Sequence, residues 1–282
     1  MEDSVQDQAL GSASHDHAAH LDGAASHDHA AQLERAAHLE PADFDAMRVG
    51  YGLHERLDGA DLAGGWLPLF TAWLEEAGRR GVREPNAMVL GTATPEGRPS
   101  TRTVLCKGAD ERGIRFFTTT TSRKGSQLAA SGFASVTFPW LTVERQVHLE
   151  GPCHPLSREE SLAYWRTRPR GSQVAAWASE QSRPAASVAE LERLYAEAAE
   201  RFSGDGVLGG GAADERFSGD GGVGASVVSA SAADEVPMPD RWGGYLLTPE
   251  RVEFWQGGRD RFHDRVECRL SDGEWSVTRL QP

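Results

Sequence analysis

Short extended segments, set close together and joined by turns, constrain the fold of this chain more than any other feature. Residues 87–93 (AMVLGTA) read as a strand, and Pro95-Glu96-Gly97 as the turn that ends it. Residues 101–107 form a second strand, closed by a turn over 108–113, and 114–118 form a third. Residues 133–138 and 143–150 give a fourth and fifth; the pattern returns at 244–248, 251–255, 265–270 and 275–280. Few helices lie between these segments, and the strand–helix joints are poor in glycine, which argues against a dinucleotide-binding α/β unit. The expected class is mainly β with flanking α: an antiparallel barrel with helices outside it.

The helices are placed by a change of period. Trp66, Leu67, Phe70, Trp73, Leu74 and Ala77 recur at three- and four-residue spacing, which predicts an amphipathic helix over 66–80. Ser157 with Glu160, and Ser187 with Glu190, have the spacing of helix-opening capping boxes. Two stretches do not fit a core. Residues 1–42 form an acidic tail rich in His and Ala, in which Ser-His-Asp-His-Ala-Ala occurs at 14–19 and again at 26–31. Residues 203–236 are dense in glycine and repeat part of the sequence Glu-Arg-Phe-Ser-Gly-Asp-Gly found at 200–206 and 215–221, which reads as a surface loop expanded by duplication. The expected organisation is a disordered tail followed by one domain over 43–282.

Charge narrows the function classes. The net charge of the 282 residues is −13, and residues 1–40 hold eight acids against one base, which leaves −6 for the rest. That balance argues against nucleic acid as a general partner but leaves room for a local basic pocket. Cys106, Cys153 and Cys268 are odd in number and widely spaced, with neither a disulfide framework nor a zinc pattern, so a reducing cytoplasm is expected. No apolar run reaches the length of a membrane span, and no metal site is expected; the tail histidines are read as solvated.

Against that acidic background, cations gather at four places. Residues 118–124 (TTTTSRK) follow a strand and precede a helix, so hydroxyls, helix-start N–H groups, Arg123 and Lys124 converge as a phosphate cradle. Arg102 and Lys107 stand on one strand, on opposite faces by parity. Tyr164 and Arg168 lie four apart on a helix that Pro169 ends, handing Ser172 to a loop. Arg261, His263 and Arg265 follow Phe254-Trp255-Gln256-Gly257-Gly258 and share one face if that segment is extended. Two separate anion sites suggest two phosphorylated ligands, a cofactor and a substrate.

These blocks, in this order, resemble the pyridoxine/pyridoxamine 5'-phosphate oxidase family. The likeness runs over 45–202 and 236–282, and includes Glu144-Arg145-Gln146-Val147, residues 177–182, Trp242-Gly243-Gly244 and a closing Arg279-Leu280-Gln281-Pro282. The resemblance implies a homodimeric, FMN-dependent split barrel with flavin at the subunit interface. It implies that Arg102, Thr103, Val104, Leu105, Cys106 and Lys107 line the flavin, with Phe117, Thr118, Ser122 and Gln146, and that Arg123 and Lys124 hold its phosphate. Gln181, Ser182, Trp242 and Arg265 would complete the site from the partner subunit. Lys107, Tyr164, Arg168 and Ser172 would hold the substrate phosphate, Arg261 and His263 would be the catalytic pair over the pyridine ring, and Arg48 and Tyr51 would close the site as a lid. Phe117 stands where the family often has tyrosine. The implied reaction oxidises pyridoxamine or pyridoxine 5'-phosphate to pyridoxal 5'-phosphate and reduces O2 to H2O2. Two alternatives stand beside it: a related FMN oxidase of another aromatic substrate, of the phenazine type, and a non-enzymatic flavin- or vitamer-binding protein.

Overall fold

A computed structural model of the chain describes residues 49–52, 56–62, 64–203 and 235–282. The chain divides into two compact units, Met1–Gly50 and Tyr51–Pro282, and the architecture below is that of the second. The tail expected at 1–42, and all of the 203–236 loop except its ends, lie outside the described residues.

The described part is a split barrel, an antiparallel sheet curled into a half-barrel with flanking helices. The first helix, α1 (Trp66–Arg79), buries Trp66, Phe70, Trp73 and Ala77 on one face, as its period requires. Ten strands follow: β1 (Ala87–Ala93), β2 (Pro99–Leu105), β3 (Gly108–Asp110), β4 (Gly113–Thr119), β5 (Phe133–Trp140), β6 (Arg145–Pro155), β7 (Trp242–Leu247), β8 (Arg251–Gln256), β9 (Asp264–Ser271) and β10 (Glu274–Arg279). Helices α2 (Arg123–Ser131), α3 (Arg158–Thr167), α4 (Arg170–Ala178) and α5 (Val188–Phe202) are inserted between them.

The main path of the sheet runs β10-β9-β8-β6-β5-β1-β2, with β3, β4 and β7 joined through β6. Strand β6 is long enough to serve both parts. Its residues 145–150 pair with β8, and Cys153–Pro155 pair with β7. Between them lies Gly151, where an added Cβ would stand 2.1 Å from the Thr248 carbonyl oxygen; only glycine permits the two parts to approach so closely. Strand β1 alternates buried and half-exposed residues along its whole length, with Met88 and Leu90 fully buried, the pattern of a strand with one face on a core. The main core joins α1 to the sheet through Phe70, Phe138, Trp140 and Phe254. A second core of Trp165, Val174, Val236, Met238 and Trp242 seats α3 and α4.

Four local expectations are corrected. Residues 108–113 hold a short strand, β3, which pairs back on β4, rather than a bare turn. Pro169 ends α3 but caps α4, so Ser172 sits in a helical first turn and not in a loop; the fixed φ of proline suits a helix start as well as a helix stop. Arg259–Arg261 form a 3-10 turn, with Asp260 and Arg261 both at positive φ, and β9 begins only at Asp264. Arg261, His263 and Arg265 therefore do not share a strand face. The trailing end of the expected surface loop also differs: Val236 is fully buried, and its carbonyl accepts from Trp165 Nε1 at 2.8 Å.

Candidate functional site

The free edge of β2 borders a cavity of about 580 Å³. Because β2 ends the sheet path, its outer backbone edge is open, and residues 100–105 all contribute to the wall. Opposite stand Phe117 and Thr118 of β4, the start of α2, and Trp242 of β7. Arg102, Lys107, Arg123, Lys124 and Arg168 all line this space, and none of its lining residues is acidic. Five cations facing one cavity in a chain of net charge −13 is the opposite of what random placement would give.

Lys124 shows what such placement costs. Its Nζ donates to Gln181 Oε1 at 2.6 Å and to Thr118 Oγ1 at 3.0 Å, both neutral acceptors. Burial, helped by the charge of Arg102, pulls its pKa down to about 8. The ammonium sits in the first turn of α2, where Ser122 Oγ accepts from the Gly125 N–H at 3.3 Å. An added Cβ at Gly125 would stand 2.1 Å from the Thr120 carbonyl oxygen, so glycine lets this turn fold back on the end of β4. A helix start with two cations is suited to a phosphate group.

Arg168 is the second such centre. Its guanidinium lies 4.8 Å from the Trp242 ring and 5.1 Å from that of Trp165. Nη2 donates to the Ser172 carbonyl at 2.9 Å, while Nη1 is buried without a partner. Burial lowers its pKa from the ordinary arginine value. Beside it Phe117 stacks on Tyr164 at 4.0 Å and on Trp242 at 5.5 Å, giving the cavity a flat apolar wall.

A second cluster forms around the β8–β9 connection. Trp255 and His263 lie 4.7 Å apart, Tyr51 packs edge-on to both, and Arg261 lies 5.6 Å from the Tyr51 ring. The Gly258 N–H donates to His263 Nδ1 at 3.2 Å, which makes that nitrogen the acceptor and leaves the Nε2 position to carry the proton in the neutral ring. Burial, then Arg261 and Arg265, hold the His263 pKa below its usual value. Gln146 stands opposite Trp255 in the β6–β8 register. Arg265 is held by both oxygens of the buried Glu253, at 2.8 and 3.0 Å.

The sequence-predicted residues thus fall into two groups. Arg102, Thr103, Val104, Leu105, Lys107, Phe117, Thr118, Arg123, Lys124, Tyr164, Arg168, Gln181, Ser182 and Trp242 meet at the cavity. Gln181, Ser182 and Trp242, expected from a partner subunit, line the cavity of the same chain, since Gln181 bonds Lys124 and Trp242 stacks on Phe117. Arg102 and Lys107 also meet there despite opposite parity, because β2 ends at Leu105 and Lys107 lies beyond the pleat. Cys106 points the other way: it is buried, and its thiol pKa is raised by burial. Ser122 caps α2 from within, and Ser172 touches the site through its backbone. Tyr51, Gln146, Arg261, His263 and Arg265 lie at the second cluster; β8 and β2 are four strand spacings apart, roughly 19 Å along the sheet at the usual spacing. Arg48 lies outside the described residues.

Other residues escaped the sequence reading. Trp255 belongs to a quoted motif, but its place against His263 was not foreseen. Gln127, Thr92 and Ser100, behind Arg102, were missed too, although Ser100 precedes Arg102 by two on a strand, the spacing of a shared face. Among the described residues, no group of three or more His, Cys, Asp or Glu is placed to hold a metal ion, and no helix is long and apolar enough to cross a membrane.

The chain also matches known proteins. The family profile described as pyridoxamine 5'-phosphate oxidase matches residues 74–201, and that of the pyridoxine 5'-phosphate oxidase C-terminal dimerisation region matches 242–282. A pyridoxine/pyridoxamine 5'-phosphate oxidase of Nocardia farcinica is 46% identical over 251 residues, covering 86% of this chain and 99% of the relative. One from Mycobacterium sp. (strain JLS) is 48% identical over 241 residues, covering 84% and 100%. Among solved structures, PhzG of Burkholderia lata, in complex with tetrahydrophenazine-1-carboxylic acid, aligns with a TM-score of 0.63 at 30% identity, covering 76% of this chain and 91% of its own. A pyridoxamine 5'-phosphate oxidase-related, FMN-binding protein of Nostoc punctiforme, 17% identical with a TM-score of 0.55, shares the fold over 77% of this chain and 97% of its own. The chain belongs to the pyridoxine/pyridoxamine 5'-phosphate oxidase family.

Proposed function

We propose that the protein oxidises pyridoxamine and pyridoxine 5'-phosphates to pyridoxal 5'-phosphate with bound FMN, reducing O2 to H2O2, in one domain spanning residues 43–282; the amine substrate also consumes water and releases ammonia. The observation that carries this reading is the cavity with five cations and no acid, in which one buried guanidinium nitrogen of Arg168 has no partner. Buried cations left without carboxylates are costly unless an anion completes them. The fit to two phosphate esters is specific: Arg123 and Lys124 at the helix start suit the cofactor's, and Lys107, Tyr164 and Arg168 suit the substrate's. A phenazine-type substrate with one carboxylate would also pair with Arg168, and it is the preference for the phosphate ester in the assay below that separates the two readings.

In this reading the chain is a homodimer, and the Tyr51–Trp255–His263–Arg261 cluster of one copy meets the cavity of the other; the match of 242–282 to a dimerisation region supports that arrangement. Bound FMN supplies the two-electron acceptance from the substrate carbon and the reoxidation by dioxygen. The residues of the chain do the rest. The cavity cations fix both phosphates, which sets the substrate's reacting carbon in a single orientation. Phe117, Tyr164 and Trp242 exclude water from one wall. Arg261 stabilises charge developing at the exocyclic oxygen or nitrogen, and His263, neutral at working pH because its pKa is lowered, orders the ring. The test is peroxide release with pyridoxamine 5'-phosphate and with pyridoxamine. We expect kcat/KM to favour the phosphate ester by roughly 100-fold or more, from two charged hydrogen bonds. Equal rates would refute the assignment of substrate.

A further inference from the structure

Behind the cavity wall a buried amide addresses Arg102 through two hydroxyls. Gln127, on the inner face of α2, is buried, and its Oε1 accepts from Thr92 Oγ1 at 2.6 Å and from Ser100 Oγ at 2.8 Å. The same two hydroxyl oxygens accept from Arg102, Nη1 to Thr92 at 2.6 Å and Nη2 to Ser100 at 2.8 Å. Thr92 and Ser100 are direct partners in the β1–β2 register, and Leu90, whose carbonyl also accepts from Arg102 Nη1 at 3.3 Å, is the partner of Arg102. The guanidinium therefore spans a fixed three-point seat on the strand pair.

Proton accounting gives the amide its role. A hydroxyl has one proton and two lone pairs. With both protons committed to Gln127 Oε1, each hydroxyl oxygen can present only lone pairs to the guanidinium. Gln127 Nε2, meanwhile, is buried without a partner. A buried polar group left unsatisfied calls for a reason, and the carbonyl end of the same amide provides one. The seat also contains no carboxylate, and no ion pair of Arg102 occurs among the described residues. Its charge is thus left free for the cavity, which it shares with the cations of Arg123 and Lys124.

We propose that Gln127 is a positioning residue for Arg102: it fixes the proton direction of Thr92 and Ser100 so that the guanidinium is held rigidly and uncompensated toward the anionic cofactor. The inference rests on the FMN reading above, and two measurements separate their fates. The first needs no flavin. In nitrogen-15 NMR of the arginine side chains of flavin-free protein, Arg102 shows distinct, slowly exchanging Nη signals in the wild type and averaged ones in Gln127→Leu. The second is a double-mutant cycle on FMN affinity, followed by quenching of flavin fluorescence. Gln127→Leu weakens FMN binding about tenfold in the wild-type background and less than twofold in an Arg102→Met background. Thr92→Val, which removes a single arm of the seat, weakens it about threefold and covers the case in which Gln127→Leu does not fold. Equal losses in both backgrounds, or unaltered Arg102 signals in Gln127→Leu, would overturn the role of Gln127. Failure of the wild type to bind FMN would instead overturn the cofactor reading, with the NMR result still deciding the seat.

Discussion

Replacing Arg168 by methionine separates binding from stability in a way the structure makes quantitative. In the folded chain the guanidinium has one backbone acceptor, the Ser172 carbonyl, two aromatic faces, and one buried nitrogen with no partner. Methionine keeps contact with Trp165 and Trp242 and removes a buried cation whose charged form burial already disfavours. Loss of the cation–π attraction and of the bond to the Ser172 carbonyl, together about 2–4 kcal/mol, is partly offset by relief of desolvation of about 1–3 kcal/mol, so the unfolding free energy should fall by no more than about 2 kcal/mol. The substrate phosphate loses a charge-assisted bond worth about 1.5–3 kcal/mol, a factor of roughly 10 to 100 in kcat/KM. Peroxide-coupled assays with pyridoxamine 5'-phosphate and pyridoxamine give the ratio directly. The ratio should collapse by that factor while the rate with pyridoxamine holds. A variant that keeps its preference for the phosphate ester within threefold would show that Arg168 is a structural cation and that the substrate anion lies elsewhere.

Four further outcomes are expected. FMN affinity should weaken as pH rises through about 8, where Lys124 loses its proton, and at pH 8–9 binding should take up protons, measurable by titration calorimetry in buffers of different ionisation enthalpy. The sign for stability is the reverse: the folded, flavin-free chain releases this proton before the unfolded one, so Lys124 adds stability as pH rises from about 8 toward 10.5, and a pH-independent midpoint of urea unfolding over that range would count against its burial. Gly125→Ala forces a Cβ against the Thr120 carbonyl and should cost about 1–3 kcal/mol in urea unfolding while also loosening FMN; an unchanged midpoint would mean the turn is slack. Arg261→Ala should lower turnover strongly while FMN stays bound, and turnover within about threefold of wild type would remove Arg261 from the chemistry.

How much of this was legible depended on the range of the signal. The period of Trp66, Phe70, Trp73 and Ala77 gave the first helix almost to the residue, and Ser157 with Glu160 forms a full capping box. The cation blocks on β2, α2 and α3 were visible because hydroxyls and cations at strand and helix ends are local patterns. That they share one cavity was not visible in their spacing and came only from the family resemblance; in the fold it follows from β2 being the free edge of the sheet. Parity placed Lys107 on the wrong face because the strand stops two residues before it. The shared face of Arg261, His263 and Arg265 depended on that segment being extended, and two successive residues at positive φ, which leave no mark in composition, break it. Glu253 beneath Arg265, and Gln127 behind Arg102, lie 12 and 25 positions away in sequence, beyond any local pattern.

The central claim is that the cation cavity of one copy and the His263–Arg261 cluster of another make a single active site. Co-expression of two differently tagged inactive chains tests it directly, one with Arg123→Ala and Lys124→Ala, the other with Arg261→Ala. Purified mixed dimers should regain about half the wild-type activity per dimer, because one of the two sites then combines an intact cavity with an intact cluster. Mixed dimers as inactive as either parent would contradict it.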